Sequence, residues 1–333
     1  MLLIKGGDWF VDGATGLARR FKLPEILIGA TVVSIGTTLP EVMVSAGGAM
    51  AGNGAMAYGN AIGSIICNTS LIAAITIAIK PAKAERKSLI LPVAFFFGAA
   101  AFYAIVSYTI GRFDQWVGFV LLGTFVVYMV LTVLRMKKNP VEESHEEAEQ
   151  EQTLEKLPLG KEIWAQVRGK KTSIIREILL LVIGAAVIAV GADLLVDNAT
   201  FIANVLHVPQ TVIALTIVAL GTSLPELVTA ITSLIKGHGS LSLGNIIGAN
   251  LFNLVLVSGV SVAISPFDVP VAAQFFGQNA SLVLEIPLMF TVMLLMCIPT
   301  LIRGKLSRVQ GIALLALYAA FCVVQFTLVQ TVA

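Results

Sequence analysis

The sequence predicts an all-α integral membrane protein with about ten transmembrane helices in two inverted five-helix repeats. Three observations carry that expectation: long apolar stretches that recur along the whole chain, basic residues gathered on alternate connections, and a gapless internal repeat.

Of the 333 residues, 57% are hydrophobic and only 13% charged, and mean hydropathy is +0.89. A soluble domain carries about 25% charged residues, whereas a spanning helix needs roughly 20 mostly apolar ones. Ten such segments are read at 1–20, 24–51, 58–79, 88–108, 115–135, 175–203, 209–236, 241–264, 281–302 and 309–330. No cleavable signal peptide is expected, because the first apolar stretch carries Asp8 and Asp12 and no small-residue cleavage site follows it. Cys67, Cys297 and Cys322 lie in apolar stretches without CxxC spacing, which argues against a disulfide framework or a zinc site.

The one long polar stretch is 136–174. It holds Glu142, Glu143, Glu146, Glu147, Glu149 and Glu151, followed by Lys161, Arg168, Lys170 and Lys171, and reads as a solvated linker. With ten spans, 20 of the 22 Lys and Arg residues fall on odd-numbered connections; only Lys5 and Arg112 fall on the other side. Basic residues accumulate on the cytoplasmic face. The linker is therefore expected to be cytoplasmic and both termini to be outside.

The repeat appears at an offset of 185 residues: Gly6–Glu41 aligns with Gly191–Glu226 at 16 identities in 36 positions. The register continues into Gly59–Asn68 against Gly244–Asn253. Five spans per copy is an odd number, so the second copy enters the membrane upside down. Such repeats are common in secondary transporters, with the ion site where they meet near the midplane. The expected organisation is a first repeat at 1–135 with its motif segment at 29–70, the linker at 136–174, and a second repeat at 175–333 with its motif segment at 214–255. The apolar run Ile178–Val190 precedes Gly191, but only five residues precede Gly6, so the first helix reads as the shorter.

The chemistry is concentrated in Gly36-Thr37-Thr38-Leu39-Pro40-Glu41 and Gly221-Thr222-Ser223-Leu224-Pro225-Glu226. Each lies within an apolar segment, where a carboxylate is costly unless it has a partner. Pro40 and Pro225 each lack a backbone N–H, which would free the carbonyls near Gly36 and Gly221. The expectation is a broken helix in each copy, offering carbonyls, two hydroxyls and a carboxylate within a turn. An all-oxygen set of that kind suits Ca²⁺ or Na⁺, and two carboxylates balance one divalent ion. Asn68 and Asn253 can add amide ligands, and Ser64 a hydroxyl that its repeat partner Ala249 cannot supply. Gly59, Gly63, Gly244 and Gly248 read as close-packing positions. Asn60 and Asn245 are equally readable as packing, capping or site residues. Asp8, Asp12, Asp193 and Asp197 read as interhelical hydrogen-bonding groups, and His145, His207 and His238 have no metal-site spacing. No HExxH or GxSxG set is present, and an enzyme is not expected.

The paired G-T-[TS]-L-P-E and G-N-x-I-G segments resemble the repeats of the Ca²⁺/cation antiporters, above all the prokaryotic sodium/calcium exchangers. The resemblance implies ten helices, exchange of Na⁺ for Ca²⁺, and alternating access by movement of the first and sixth helices across a fixed core. By position it implies that Glu41 and Glu226 bind Ca²⁺ and share Na⁺. Thr37, Thr38, Thr222 and Ser223 match hydroxyl or carbonyl ligands, and Ser34 and Ala219 match main-chain carbonyl ligands of Na⁺. Ser64, Asn68 and Asn253 complete the implied set. Asn253 in place of an acidic residue argues against K⁺ dependence, and Ile62 and Ile247 argue for Na⁺ over H⁺. The implied partners are Ca²⁺, Na⁺ and the lipid bilayer of a prokaryotic plasma membrane, with no nucleic acid and no cofactor. More than two Na⁺ per Ca²⁺ would make exchange electrogenic. H⁺/Ca²⁺ (or other divalent cation) antiport and a cation channel stand as the alternatives.

Overall fold

A computed structural model describes residues 1–21, 23–81, 84–138, 173–205, 219–271, 273–327 and 329–331. Within them the chain forms ten helical stretches where ten spans are expected. These are α1 Leu2–Arg20, α2 Glu25–Met50, α3 Gly54–Ile79, α4 Arg86–Thr109, α5 Gln115–Lys138 and α6 Ile174–Val205. Next come α7, made of Ala219–Thr222 and Leu224–Ile235, α8 Gly239–Ile264, α9 Ser281–Arg303 and α10 Arg308–Thr327. Most of the expected linker, 139–172, and the start of the seventh span, 209–218, lie outside the described residues.

Eight of these helices are long and apolar enough to cross a bilayer. α1 is interrupted by Lys5, Asp8 and Asp12, and the described part of α7 is short. α3 and α8 are the most enclosed, and α5, α6 and α10 carry the most exposed apolar surface, as helices facing lipid must. Short strands in the α4–α5 and α8–α9 connections and after α10 add to the helical frame. β1 Arg112–Phe113 pairs antiparallel with β2 Phe267–Asp268. β3 Ala273–Phe275 pairs with both β4 Gln278–Asn279 and β5 Val329–Thr331.

The 185-residue offset reappears as geometry. α2 and α7 each end in a turn closed by a glycine at positive φ, Gly52 at 75° and Gly237 at 84°; glycine enters that region without a Cβ clash. α3 and α8 each switch to π-helical winding at the same repeat position, Asn68–Ala73 and Asn253–Val257. α1 and α6 cross antiparallel with backbones nearly touching: a Cβ on Gly6 would come within 3.0 Å of Ile188, and one on Gly191 within 3.1 Å of Leu3. Those two contacts exchange under the offset, as an inverted pair requires. Further along, a Cβ on Gly13 would meet the Glu177 carbonyl at 2.6 Å, and one on Gly184 the Phe10 nitrogen at 2.5 Å. Small residues permit this approach, which substitutes for the hydrophobic driving force that lipid does not provide.

Ion pairs tie the same end of the bundle together. Arg20 grips Glu177 through Nε at 2.7 Å and Nη2 at 3.1 Å, joining α1 to α6. Lys236, closing α7, reaches Asp12 at 2.8 Å and Asp8 at 3.3 Å. Asp8 and Asp12 thus have the interhelical role expected of them; the side chains of Asp193 and Asp197 are outside the described residues. His238 Nδ1 lies 2.7 Å from Glu25 Oε1, linking α8 to α2.

The tightest seat belongs to Gly244, where a Cβ would fall 2.1 Å from the Ile26 carbonyl oxygen. Gly244→Ala is expected to destabilise the detergent-solubilised protein by about 1–3 kcal/mol through overpacking. Gly123→Ala, with nothing within 4 Å, should instead gain up to about 1 kcal/mol in helix propensity. Thermal melting of the two variants side by side checks both outcomes; equal melting temperatures would disprove the close seat.

Candidate cation site

Glu41 and Glu226 are both fully buried and lie close enough to repel one another electrostatically. Neither carboxylate has a hydrogen-bond partner among the described residues. Two bare carboxylates in an apolar interior are strongly unfavourable unless a positive charge joins them.

The two copies reach this point differently. In the first, the helix Ser34–Met50 runs straight through Pro40, so the expected break is not there. The carbonyl of Gly36, four residues earlier, has no N–H from Pro40 to accept. Gly36 also lacks a Cβ, which leaves its carbonyl room to tilt and lets the Phe10 ring of α1 sit 3.3 Å from where that Cβ would be. The irregularity lies one turn upstream, in the π segment Gly29–Val33. In the second copy the break is real. Ser223 interrupts α7 at φ −93° and ψ 6° and caps Leu224–Ile235, placing Glu226 in the first turn of that helix. The free N–H groups and dipole there favour an anion.

Around the carboxylates the buried side chains are polar and under-used. Thr38 Oγ1, Ser223 Oγ and both amide atoms of Asn68 and of Asn253 have no hydrogen-bond partner among the described residues. All four residues are at most 1% exposed. The π segment headed by Asn68 packs on the Glu226 helix, and the one headed by Asn253 packs on the Glu41 helix, so each amide comes from the opposite copy to the carboxylate helix it faces. Thr37 lies beside the Glu226 carboxylate. Ser64 is buried one turn before Asn68, and Thr222 is half-buried. Ser34 turns its hydroxyl onto the carbonyls of Gly29 at 2.7 Å and Asn245 at 2.9 Å. Ala219 opens the short first piece of α7, and its side chain is outside the described residues. Oxygen donors of this kind around two carboxylates fit a hard cation.

The family model of the sodium/calcium exchanger protein matches residues 1–134 and 176–327. The chain belongs to the sodium/calcium exchanger family. Its exchanger relatives include a putative antiporter CaxA of Alkalimonas amylolytica, 32% identical over 98% of this chain and 95% of its own length. The sodium/calcium exchanger MaX1 of Methanosarcina acetivorans is 28% identical over 98% and 96%. Among solved structures, the sodium-calcium exchanger NCX_Mj soaked with Na⁺ and Ca²⁺ superposes with a TM-score of 0.75 at 30% identity, covering 97% of this chain and 94% of the other. A multi-pass membrane transporter of the cation/Ca²⁺ exchange type follows, rather than a catalytic enzyme.

Some groups in this exchanger were not singled out from sequence. Thr229 and Ser233 share the Glu226 face of α7, and both have buried hydroxyls without a partner among the described residues; their spacing of three and seven residues from Glu226 is the signal that could have found them. Cys67 sits beside Ser223 and within reach of the Glu226 charge. Asn250 donates to Thr69 at 2.7 Å across the α3–α8 contact, and nothing in the string pairs those two residues. Asn60 donates to Ser45 Oγ at 2.7 Å and to the Glu41 carbonyl at 3.3 Å.

Because the hydroxyls of Thr38 and Ser223 support no bond within the fold, Thr38→Val and Ser223→Ala should leave ion-free thermal stability within about 1 kcal/mol of the wild type, or raise it. A loss of several kcal/mol in melting experiments would show that these hydroxyls serve the scaffold.

Proposed function

We propose that this chain exchanges Na⁺ for Ca²⁺ by alternating access, without K⁺ and with net charge movement. The site in this reading comprises Glu41, Glu226, Thr37, Thr38, Thr222, Ser223, Ser64, Asn68 and Asn253, with main-chain oxygens of Ser34 and Ala219. The observation that carries the reading is the pair of buried, unpartnered carboxylates contributed by the two inverted copies.

Ca²⁺ and Na⁺ compete for the same carboxylates, so they bind alternately. Either load neutralises the two negative charges. Without a load those charges oppose passage of the site through an apolar seal, and this ties movement to exchange. The moving element is the α1–α6 pair, whose glycine-lined contact holds its two helices together and whose Phe10 rides over Gly36 at the site. The two carboxylates balance one Ca²⁺, so a load of three Na⁺ carries one extra positive charge. This reading places the chain in a prokaryotic plasma membrane with the 136–174 linker in the cytoplasm. It takes 1–135 and 175–333 as the two functional halves.

Glu41→Gln and Glu226→Gln are each expected to abolish uptake of radiolabelled Ca²⁺ into Na⁺-loaded proteoliposomes. Near-normal uptake by both variants would sink the site assignment. In the wild type, an inside-positive potential should speed uptake, because each cycle moves a positive charge outward. Uptake indifferent to potential would rule out electrogenic exchange. Uptake driven by a pH gradient without Na⁺ would replace Na⁺ by H⁺ as the coupling ion.

A further inference from the structure

Asn60 and Asn245 occupy the same position in the two repeats, yet their amide nitrogens are held differently. The Asn60 amide nitrogen donates within its own copy, to Ser45 Oγ at 2.7 Å and to the Glu41 carbonyl at 3.3 Å. The repeat partner of Ser45 is Ala230, so Asn245 has no equivalent hydroxyl to hold. It is fully buried, and its amide oxygen instead crosses to the other copy and accepts from Thr37 Oγ1 at 3.3 Å. Its amide nitrogen has no partner among the described residues. The crossing is possible because α8 presses against α2 at Gly244 and Gly248.

A threonine hydroxyl has one proton and two lone pairs. Thr37 has three acceptors nearby: the Asn245 amide oxygen at 3.3 Å, the Ser34 main-chain carbonyl at 3.5 Å and the Glu226 carboxylate. If its proton points at Glu226, the hydroxyl occupies carboxylate lone pairs and turns its own away from a cation. If the proton points at Asn245, the lone pairs and the carboxylate both remain available. The hydroxyl has its shorter hydrogen bond to Asn245, a longer one to the Ser34 carbonyl, and none to Glu226.

We propose that Asn245 is a positioning residue for the cation site: its amide oxygen holds the Thr37 proton away from Glu226 and so keeps the Thr37 oxygen directed at the cation. This rests on the exchange reading above and assigns the role to Asn245. The partner chemistry is that of a hard cation requiring oxygen lone pairs.

The test is a double-mutant cycle on Na⁺-driven Ca²⁺ uptake in proteoliposomes, using Thr37→Val, Asn245→Leu and both together. Each single variant is expected to raise the half-saturating Ca²⁺ concentration roughly tenfold, with little change in maximal flux. The double variant should be no worse than either single one, because Asn245 acts through Thr37. Costs that multiply to roughly a hundredfold, or an Asn245→Leu variant with wild-type affinity, would overturn the proposal. Asn245→Asp keeps an acceptor oxygen in place while exchanging the unpartnered amino group for a second oxygen and a negative charge that itself attracts Ca²⁺, and serves if the leucine variant does not fold. It should bind Ca²⁺ at least as tightly as the wild type, and a roughly tenfold loss in it also overturns the proposal. Glu41→Gln and Glu226→Gln measured in parallel separate the two failures. If they retain flux, the exchange reading falls. If they lose it while the cycle is additive, only the Asn245 role falls.

Discussion

Two carboxylates from opposite halves of the chain are held close together, and among the described residues no positive side chain pairs with either. Glu41 and Glu226 are fully buried without hydrogen-bond partners among the described residues, and the neighbouring geometry follows from accommodating them. Helix backbones satisfy their own hydrogen bonds, so the polar atoms left over at the site are side-chain hydroxyls and amides. Those of Thr38, Ser223, Asn68 and Asn253 are buried and unused by the fold. A scaffold optimised for stability alone would replace such groups with apolar ones at little cost. Their presence around two like charges is what the proposed cation site accounts for.

The inverted repeat is what allows the carboxylates to meet. Because each copy contains an odd number of spans, equivalent positions approach the midplane from opposite sides. The reciprocal contacts Gly6–Ile188 and Leu3–Gly191 express this at the α1–α6 crossing. The cross-packing of each asparagine-headed π segment on the opposite carboxylate helix expresses it at the site. π winding leaves local irregularity where functional groups are needed, and here it begins at both ligand-candidate asparagines. Symmetry is nonetheless incomplete where residues differ. Ala230 offers the Asn245 amide nitrogen no counterpart of the Ser45 hydroxyl that Asn60 holds, and α2 is continuous through Pro40 where α7 is broken at Ser223.

Much of this was legible from the string. Ten apolar stretches, the 185-residue offset and the G-T-x-L-P-E pairs depend on local composition and register, which the chain displays directly. Proline chemistry was a weaker guide. A missing N–H frees a carbonyl at both Pro40 and Pro225, but whether the helix then breaks depends on what packs against it. Near Pro40 the Phe10 ring lies against Gly36. Thr229 and Ser233 carried a periodicity signal from Glu226. The bond from Asn250 to Thr69 joins residues 181 apart, and no local pattern encodes such a pairing.

The sequence by itself determined that the protein is a membrane-embedded inverted repeat with two paired carboxylate motifs, because hydropathy, charge asymmetry and repeat identity are properties of the chain read in order. Only the tertiary structure decided which helix stays intact, which hydroxyls are left without partners among the described residues, and what the amide nitrogen of each equivalent asparagine meets. Those outcomes depend on backbone approaches such as Gly244 against Ile26 and on single side-chain differences such as Ser45 against Ala230. Their consequences arise between segments distant in sequence, where hydrogen-bond geometry is set by packing rather than by spacing.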